Sequence, residues 1–305
     1  MCEALSRQQD HRTGVALALG AVAVLSPDSL IVRTVQMPNE GVLLWRGALV
    51  AIVVLVITAR GGSLRRRFGS VGVAGMAAGC CWALATILFV YSVRRTAVAS
   101  TLVIVGAGPV FAAAMERLAL HEPIPRRTWY ASIGVAVGVA WIFAGSAGGD
   151  AFSGDLAALA GSISFAAFLT LLRRGRASDM SPSLVVGGVV TASVALAAGG
   201  AAQVPSARDG ALLVMLGAVI VPASLVLTTR AARQIRAAEI SLLGRLETVL
   251  GPLWVWLVLG DPPPAQVVAA GALIVAVTTL HSIAAIRADA HAEGGASAQV
   301  VDVDG

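Results

Sequence analysis

Four ionisable side chains stand inside long apolar runs: Asp28, Arg46, Arg245 and Glu247. At the centre of a hydrocarbon layer such a charge costs at least about 2.5–3.5 kcal/mol on insertion scales, so each requires a partner or a task. The chemistry open to them is limited. A buried carboxylate can carry a proton, hold a cation or pair with a guanidinium. Asp28 lies a few residues before the end of one run, and Arg46 a few residues after the start of the next. Their depths match across a short connection, so they are expected to pair. Arg245 and Glu247 are two positions apart on one helix, point to different faces and are expected to have separate partners. The bland alternative for all four is ion pairing or polar glue between helices, with no part in handling a ligand.

Other residues in these runs shape helices and pockets. Pro27, Pro109, Pro222 and Pro252 each remove a backbone donor, which makes them candidate helix breaks, although a simple kink would accommodate each. Trp82 and Tyr91 could wall a pocket, whereas Trp45, Trp129, Trp254 and Trp256 fall near run ends and suit interfacial belts. Ser26, Ser29, Thr101 and Ser162 could line a cavity or bond their own helix. The pairs Gly75/Gly79 and Gly134/Gly138 read as close helix packing. Enzyme signatures are lacking: the chain holds no HExxH, GxSxG, CxxC or GxxxxGK pattern. His11, His121, His281 and His291 fall in tails, a loop or a run end. No catalytic set, metal site or cofactor is therefore expected. All 22 basic residues are arginine, which removes lysine Schiff-base chemistry. Cys2, Cys80 and Cys81 form no disulfide framework.

The elements that must position these residues follow from composition. Of 305 residues, 57% are apolar and 13% charged, with a mean hydropathy of +0.83. Water-soluble domains carry about 25% charged residues, and a bilayer span needs about 20 apolar ones. Ten apolar segments can be drawn, at about 13–33, 41–59, 71–93, 97–119, 128–146, 155–172, 184–204, 210–229, 238–260 and 265–286. The first continues through Ser26-Pro27-Asp28 and reads as a span, not a cleaved leader. The fold expected is an all-α membrane protein with ten transmembrane helices. With the N-terminus inside, sixteen arginines face the cytoplasm and four the exterior, so both termini are placed in the cytoplasm. Scattered in this way, the basic residues orient the chain and do not form a nucleic-acid surface, despite a net charge of +5.

The chain also repeats itself weakly. A shift of 139 residues lays HEPIP (His121–Pro125) over GDPPP (Gly260–Pro264), Arg94 over Arg233 and Ala99 over Ala238. Five spans per half is an odd number, so the halves insert upside down relative to one another. In the same register Asp28, Arg46, Arg245 and Glu247 meet Ala167, Val185, Gly106 and Gly108. The equivalent helices are thus built without charge, which tilts the reading toward ligand or ion handling.

The stretches LLWRGALVAIVVLV, YSVRRTAVASTLVIVGAGPVFAAAMERLALHEPIPRRTWYASIGVAVGVAWI and RAAEISLLGRLETVLGPLWVWLVLGDPPPAQVVAAGALIVAV resemble the two EamA repeats of the drug/metabolite transporter superfamily. Trp-Arg in the second span, an acidic-Pro turn after spans 4 and 9, and Glu247 in span 9 carry the likeness over about residues 13–286. The chain departs from a symmetric pattern in having Gly108 where span 9 has Glu247. The resemblance implies a cytoplasmic tail at 1–12, a first repeat at 13–146, a second at 155–286 and a disordered cytoplasmic tail at 287–305. It further implies a secondary transporter in the cell membrane that moves a small-molecule substrate through the lipid bilayer by alternating access, in many relatives outward. Coupled protons or ions are one possible drive: Asp28 and Glu247 could each carry a proton, or stay ionised beside arginine. The competing reading is a multi-pass receptor or scaffold that transports nothing.

Overall fold

The structure, a computed structural model, describes residues 2–60, 63–108, 110–111, 114–115, 126–146, 149–174, 180–200, 203–231, 234, 243–280 and 283. Side chains at 2–10, 126–129, 173–174 and 229 are outside that description. The HEPIP turn and the tail from 284 onward also lie outside the described residues, as does Pro109. All regular structure among the described residues is helical. The helices are α1 (Cys2–Leu25), α2 (Asp28–Thr34), α3 (Asn39–Arg60), α4 (Leu64–Arg95), α5 (Val98–Val105), α6 (Arg126–Ser146), α7 (Asp150–Arg174) and α8 (Ser181–Ala197). After these come α9 (Ala207–Val214), a π-helical turn (Met215–Ile220), α10 (Val221–Ala231), α11 (Leu246–Leu259) and α12 (Ala265–Leu280).

Among the described residues, five helical stretches are long and apolar enough to cross a membrane: His11–Thr34, Asn39–Arg60, Leu64–Arg95, Asp150–Leu172 and Ala207–Thr228. Four shorter apolar helices accompany them. Ile52, Val73, Tyr130, Leu257 and Leu280 stand exposed on the outside, a surface suited to lipid and not to water. Since both faces of each helix are apolar, hydrophobicity alone cannot select the inward one. Small and polar residues do. In α3, Gly41, Arg46 and Gly47 are buried, while Trp45, Ile52, Leu55 and Val56 are exposed. A β-carbon at Gly47 would lie 2.8 Å from the Gly188 carbonyl oxygen, so α3 and α8 approach backbone to backbone. Gly79 meets Val186 of α8 in the same way, and Gly134 and Gly138 receive Val277 and Ile274 of α12. Gly79, Gly134 and Gly138 are packing surfaces, as their spacing suggests, whereas Gly75 chiefly makes room for Val71 of its own helix.

Helix pairing follows a pattern. α1 packs on α10 while α4 packs on α7, and α3 lies along α8. α4 also meets α8 while α3 meets the π turn, α5 meets α7 while α11 meets α1 and α2, and α5 crosses α11.

The breaks differ from the proline positions in an informative way. Pro27 does interrupt its helix, separating α1 from α2. Pro222 follows the π-helical turn, which takes up the lost donor by widening the preceding turn. Pro252, expected as a break, is not one: α11 runs through it, and the interruption comes two turns earlier, at Arg245. A turn at Gly106–Ala107 also follows α5. Gly106 and Arg245 are 139 residues apart. Within α4, Gly72 adopts φ +58°, which a side-chain-bearing residue would resist, and bends Leu64–Val71 away from the remainder. Gly260, at φ +69°, closes α11 with a left-handed cap.

Candidate functional site

The break between α1 and α2 is where the polar groups gather. Asp28 opens α2 immediately after Pro27, and Arg46 lies in the second turn of α3, joined through the short Val35–Pro38 connection. The two side chains form a bidentate ion pair: Nη1 donates to Oδ1, and Nη2 donates to Oδ2 at 2.8 Å. The side chains are only 7% and 8% exposed. Two parallel charge-assisted bonds are the geometry that offsets desolvation best. Arg46 also sits 6.0 Å from the centre of the Phe89 ring, a cation–π contact from α4. Its Nε, like the buried Ser29 hydroxyl, has no hydrogen-bond partner among the described residues.

α11 supplies the opposite wall. Glu247, Gly251 and Trp254 follow the i, i+4, i+7 spacing and share a face. That face is turned to the break. Trp254 Nε1 donates to Ser26 Oγ at 2.9 Å, and Ser26 in turn donates to the Ala23 carbonyl at 2.9 Å, the acceptor that Pro27 cannot serve. A β-carbon at Gly251 would lie 3.2 Å from Ser29 Oγ. One turn away, Glu247 is repelled by Asp28 and attracted by Arg46. It makes no hydrogen bond or ion pair among the described residues. Its side chain is half-buried. Two carboxylates thus share the neighbourhood of one guanidinium. On the next face of α11, Thr248 lies against Gly106, so the turn after α5 packs on the first turn of α11.

Outside this core a reciprocal clasp closes one end. Arg33, in the last turn of α2, donates to the Val93 carbonyl at 2.8 Å. Arg94, in the last turn of α4, donates to Met37 and, at 3.1 Å, to the Val35 carbonyl. Each arginine caps carbonyls that a helix end leaves open. Asp209, at the start of α9, accepts from the Gln36 amide at 3.4 Å and ties α9 to the same connection.

The expected pair of Asp28 and Arg46 is therefore formed, and Glu247 joins its neighbourhood. Arg245 is buried at the interruption before α11, separate in facing from Glu247. Trp82 packs among Val50, Phe168 and Leu184, and Tyr91 lies under Arg95 at 5.2 Å near the end of α4, so neither joins the pair's surroundings. Trp254, assigned from sequence to an interfacial belt, braces the helix break. Its ring is 42% exposed while its N–H points inward. Phe89 was missed because an aromatic in an apolar run carries no signal of a cation above it. Asp155 was missed as well: it is fully buried in α7, and Thr96 Oγ1 donates to it at 2.8 Å. It stands at the edge of an apolar run, where an acid passes for a loop residue.

A crevice of about 650 Å³ opens between α6, α7 and the residues after α5, lined by Val110, Phe111, Val135, Val139, Phe143 and Leu159. It carries no charged group and lies apart from the ion pair.

No protein-family model and no curated protein matches the chain. Several solved chains match, among them one described only as a crystal structure of a protein, which shares the fold. The likeness covers 90% of this chain and 98% of the other, at 18% identity and a TM-score of 0.62.

Proposed function

We propose that this protein is a secondary transporter of the drug/metabolite type, moving a small solute across the cell membrane, most simply outward. Its ten spans are α1–α2, α3, α4, α5 with its continuation, α6, α7, α8, α9–α10, α11 and α12. The observation that carries the reading is the exchange of helix pairs. With spans 1–5 relabelled as 6–10, α4 on α7 becomes α10 on α1, α4 on α8 becomes the π turn on α3, and α5 on α7 becomes α11 on α1–α2. The α3–α8, α5–α11 and α6–α12 contacts map onto themselves. Inverted repeats with broken helices at their meeting point supply two equivalent arrangements of one site. The Asp28–Arg46–Glu247 group would be that site, reached from either side by rocking one half on the other.

Cysteine accessibility tests this without knowledge of the substrate. In a background with Cys2, Cys80 and Cys81 changed to serine, Ser29→Cys reconstituted in vesicles should react with an impermeant maleimide added to either side. Reaction from one side only, or from neither, would leave a static membrane protein. Reporter fusions after Arg67, Arg127, Arg176, Arg236 and Arg287 should be cytoplasmic, with those at Gly148 and Pro263 external. Two reversed assignments would break the ten-span arrangement.

A further inference from the structure

We propose that the crevice between α6, α7 and the residues after α5 holds an acyl chain of an anionic phospholipid, with Arg126 and Arg127 at the level of its phosphate. From the transport reading this takes only the orientation, which puts the start of α6 at the cytoplasmic surface. The packing of α6 leaves the space. Gly134 and Gly138 seat α6 on Val277 and Ile274 of α12. It meets α7 through Phe143 and Phe152, edge to face at 5.4 Å near the connection between the two helices. Beyond that contact the crevice of about 650 Å³ separates them, and Leu159 is the residue of α7 that lines it. Ala114, Ala136 and Ala140 line it and are exposed, so it opens sideways, where a spanning helix meets the bilayer.

Ser132 carries the only polar side-chain group among the lining residues, so water finds too few partners to settle there. Left empty, the walls would forgo dispersion contacts that an alkyl chain at the same depth supplies. The lining on α6 runs from Ser132 to Phe143, about 16 Å at 1.5 Å per residue, or about half of a hydrocarbon core about 30 Å thick. That is the reach of one leaflet's chain, not of a compact solute. Charge then selects the headgroup. Val110 and Ala114 lie late in their span, and Ser132 lies early in α6, so the crevice reaches toward the start of that helix. Arg126 and Arg127 stand in its first turn, about 8–9 Å along the axis from Ser132. Two guanidinium groups at that level attract an anionic phosphate more than a zwitterionic headgroup. In the 139-residue register Ala114 and Ala136 correspond to Leu253 and Val275, so the other half has larger side chains where this one leaves room.

Phosphatidylglycerol and phosphatidylcholine with the same oleoyl chains test this on the intact purified protein, freed of lipid in detergent. Native mass spectrometry should show one phosphatidylglycerol retained per chain, bound at least about tenfold more tightly than phosphatidylcholine. Ala136→Trp, which fills the crevice, and the milder Ala140→Leu should each weaken that binding by about tenfold or more. Val137→Trp, at an exposed position beside the crevice but outside its lining, should not. Arg126→Gln together with Arg127→Gln should abolish the preference between the headgroups. Equal binding of the two lipids by the native protein, undiminished binding in both folded filling variants, or an unchanged preference without the two arginines overturns the proposal. So does a loss in Val137→Trp as large as in Ala136→Trp, which marks an annular lipid, and so does retention of no lipid. Labelling of Ser29→Cys from both faces beside such a result leaves transport standing, whereas one-sided labelling beside a retained phosphatidylglycerol removes transport alone.

Discussion

Two arginine–aspartate pairs tie helices together among the described residues, and they differ chiefly in how much water reaches them. Asp28–Arg46 joins α2 to α3 with side chains 7–8% exposed and two parallel bonds. Arg95–Asp150 joins the end of α4 to the start of α7 through one 3.3 Å contact, with side chains 44% and 87% exposed. Water and ions screen the second pair, and its long side chains lose entropy in holding one geometry, so it adds little. The first pair gains strength from low dielectric, and each partner becomes costly once the other is gone. What matters is the cost of stranding a charge, and only the inner pair carries that cost.

The largest expected effect follows directly. Asp28→Ala or Arg46→Ala should each cost about 3–5 kcal/mol of stability, and the double substitution should cost less than either single. Thermal unfolding of the four proteins measures the cycle. A double variant as unstable as the sum of the singles would show that the two side chains do not depend on each other.

Next comes the buried contact that resembles neither pair. Thr96→Val removes the donor to Asp155, a fully buried carboxylate whose other oxygen has no partner, and should cost about 1–3 kcal/mol. Asp155→Asn in the Thr96→Val background should recover part of that loss. No recovery would mean that the cost lies in packing of the added methyl and not in the carboxylate.

The smallest effect is reserved for the outer pair. Arg95→Ala and Asp150→Ala should each change stability by less than about 0.5 kcal/mol, with any change fading at high salt. A loss as large as that of Asp28→Ala would refute the account of burial given above.

The comparison also explains what the sequence disclosed. The Asp28–Arg46 pair was legible because two charges at matched depth on helices joined by a short loop have few other options. Pro27 was legible only as a candidate that a kink would also accommodate; the structure makes it a break in which Ser26 supplies the bond to the Ala23 carbonyl that proline cannot. The approach of Glu247 was not legible, since it depends on how α11 is rotated against α1–α2. Nothing within the local spacing of Arg245 and Glu247 encodes that rotation. The interruption at Gly106 carried only a weak signal, for glycine is common in packed membrane helices. Pro252 misled because a proline inside a helix can be absorbed without ending it.

The central claim is that the Asp28–Arg46–Glu247 group opens alternately to the two sides, with the Arg33–Arg94 clasp closing one of them. Arg94→Ala removes two bonds from the clasp and leaves the ion pair untouched. Labelling of Ser29→Cys from each side of sealed vesicles, with and without Arg94→Ala, measures the consequence. The account predicts a faster rate from the external face and a slower one from the cytoplasmic face, because a population shifted toward one opening is withdrawn from the other. Rates that rise together on both faces, or that do not move, would contradict it.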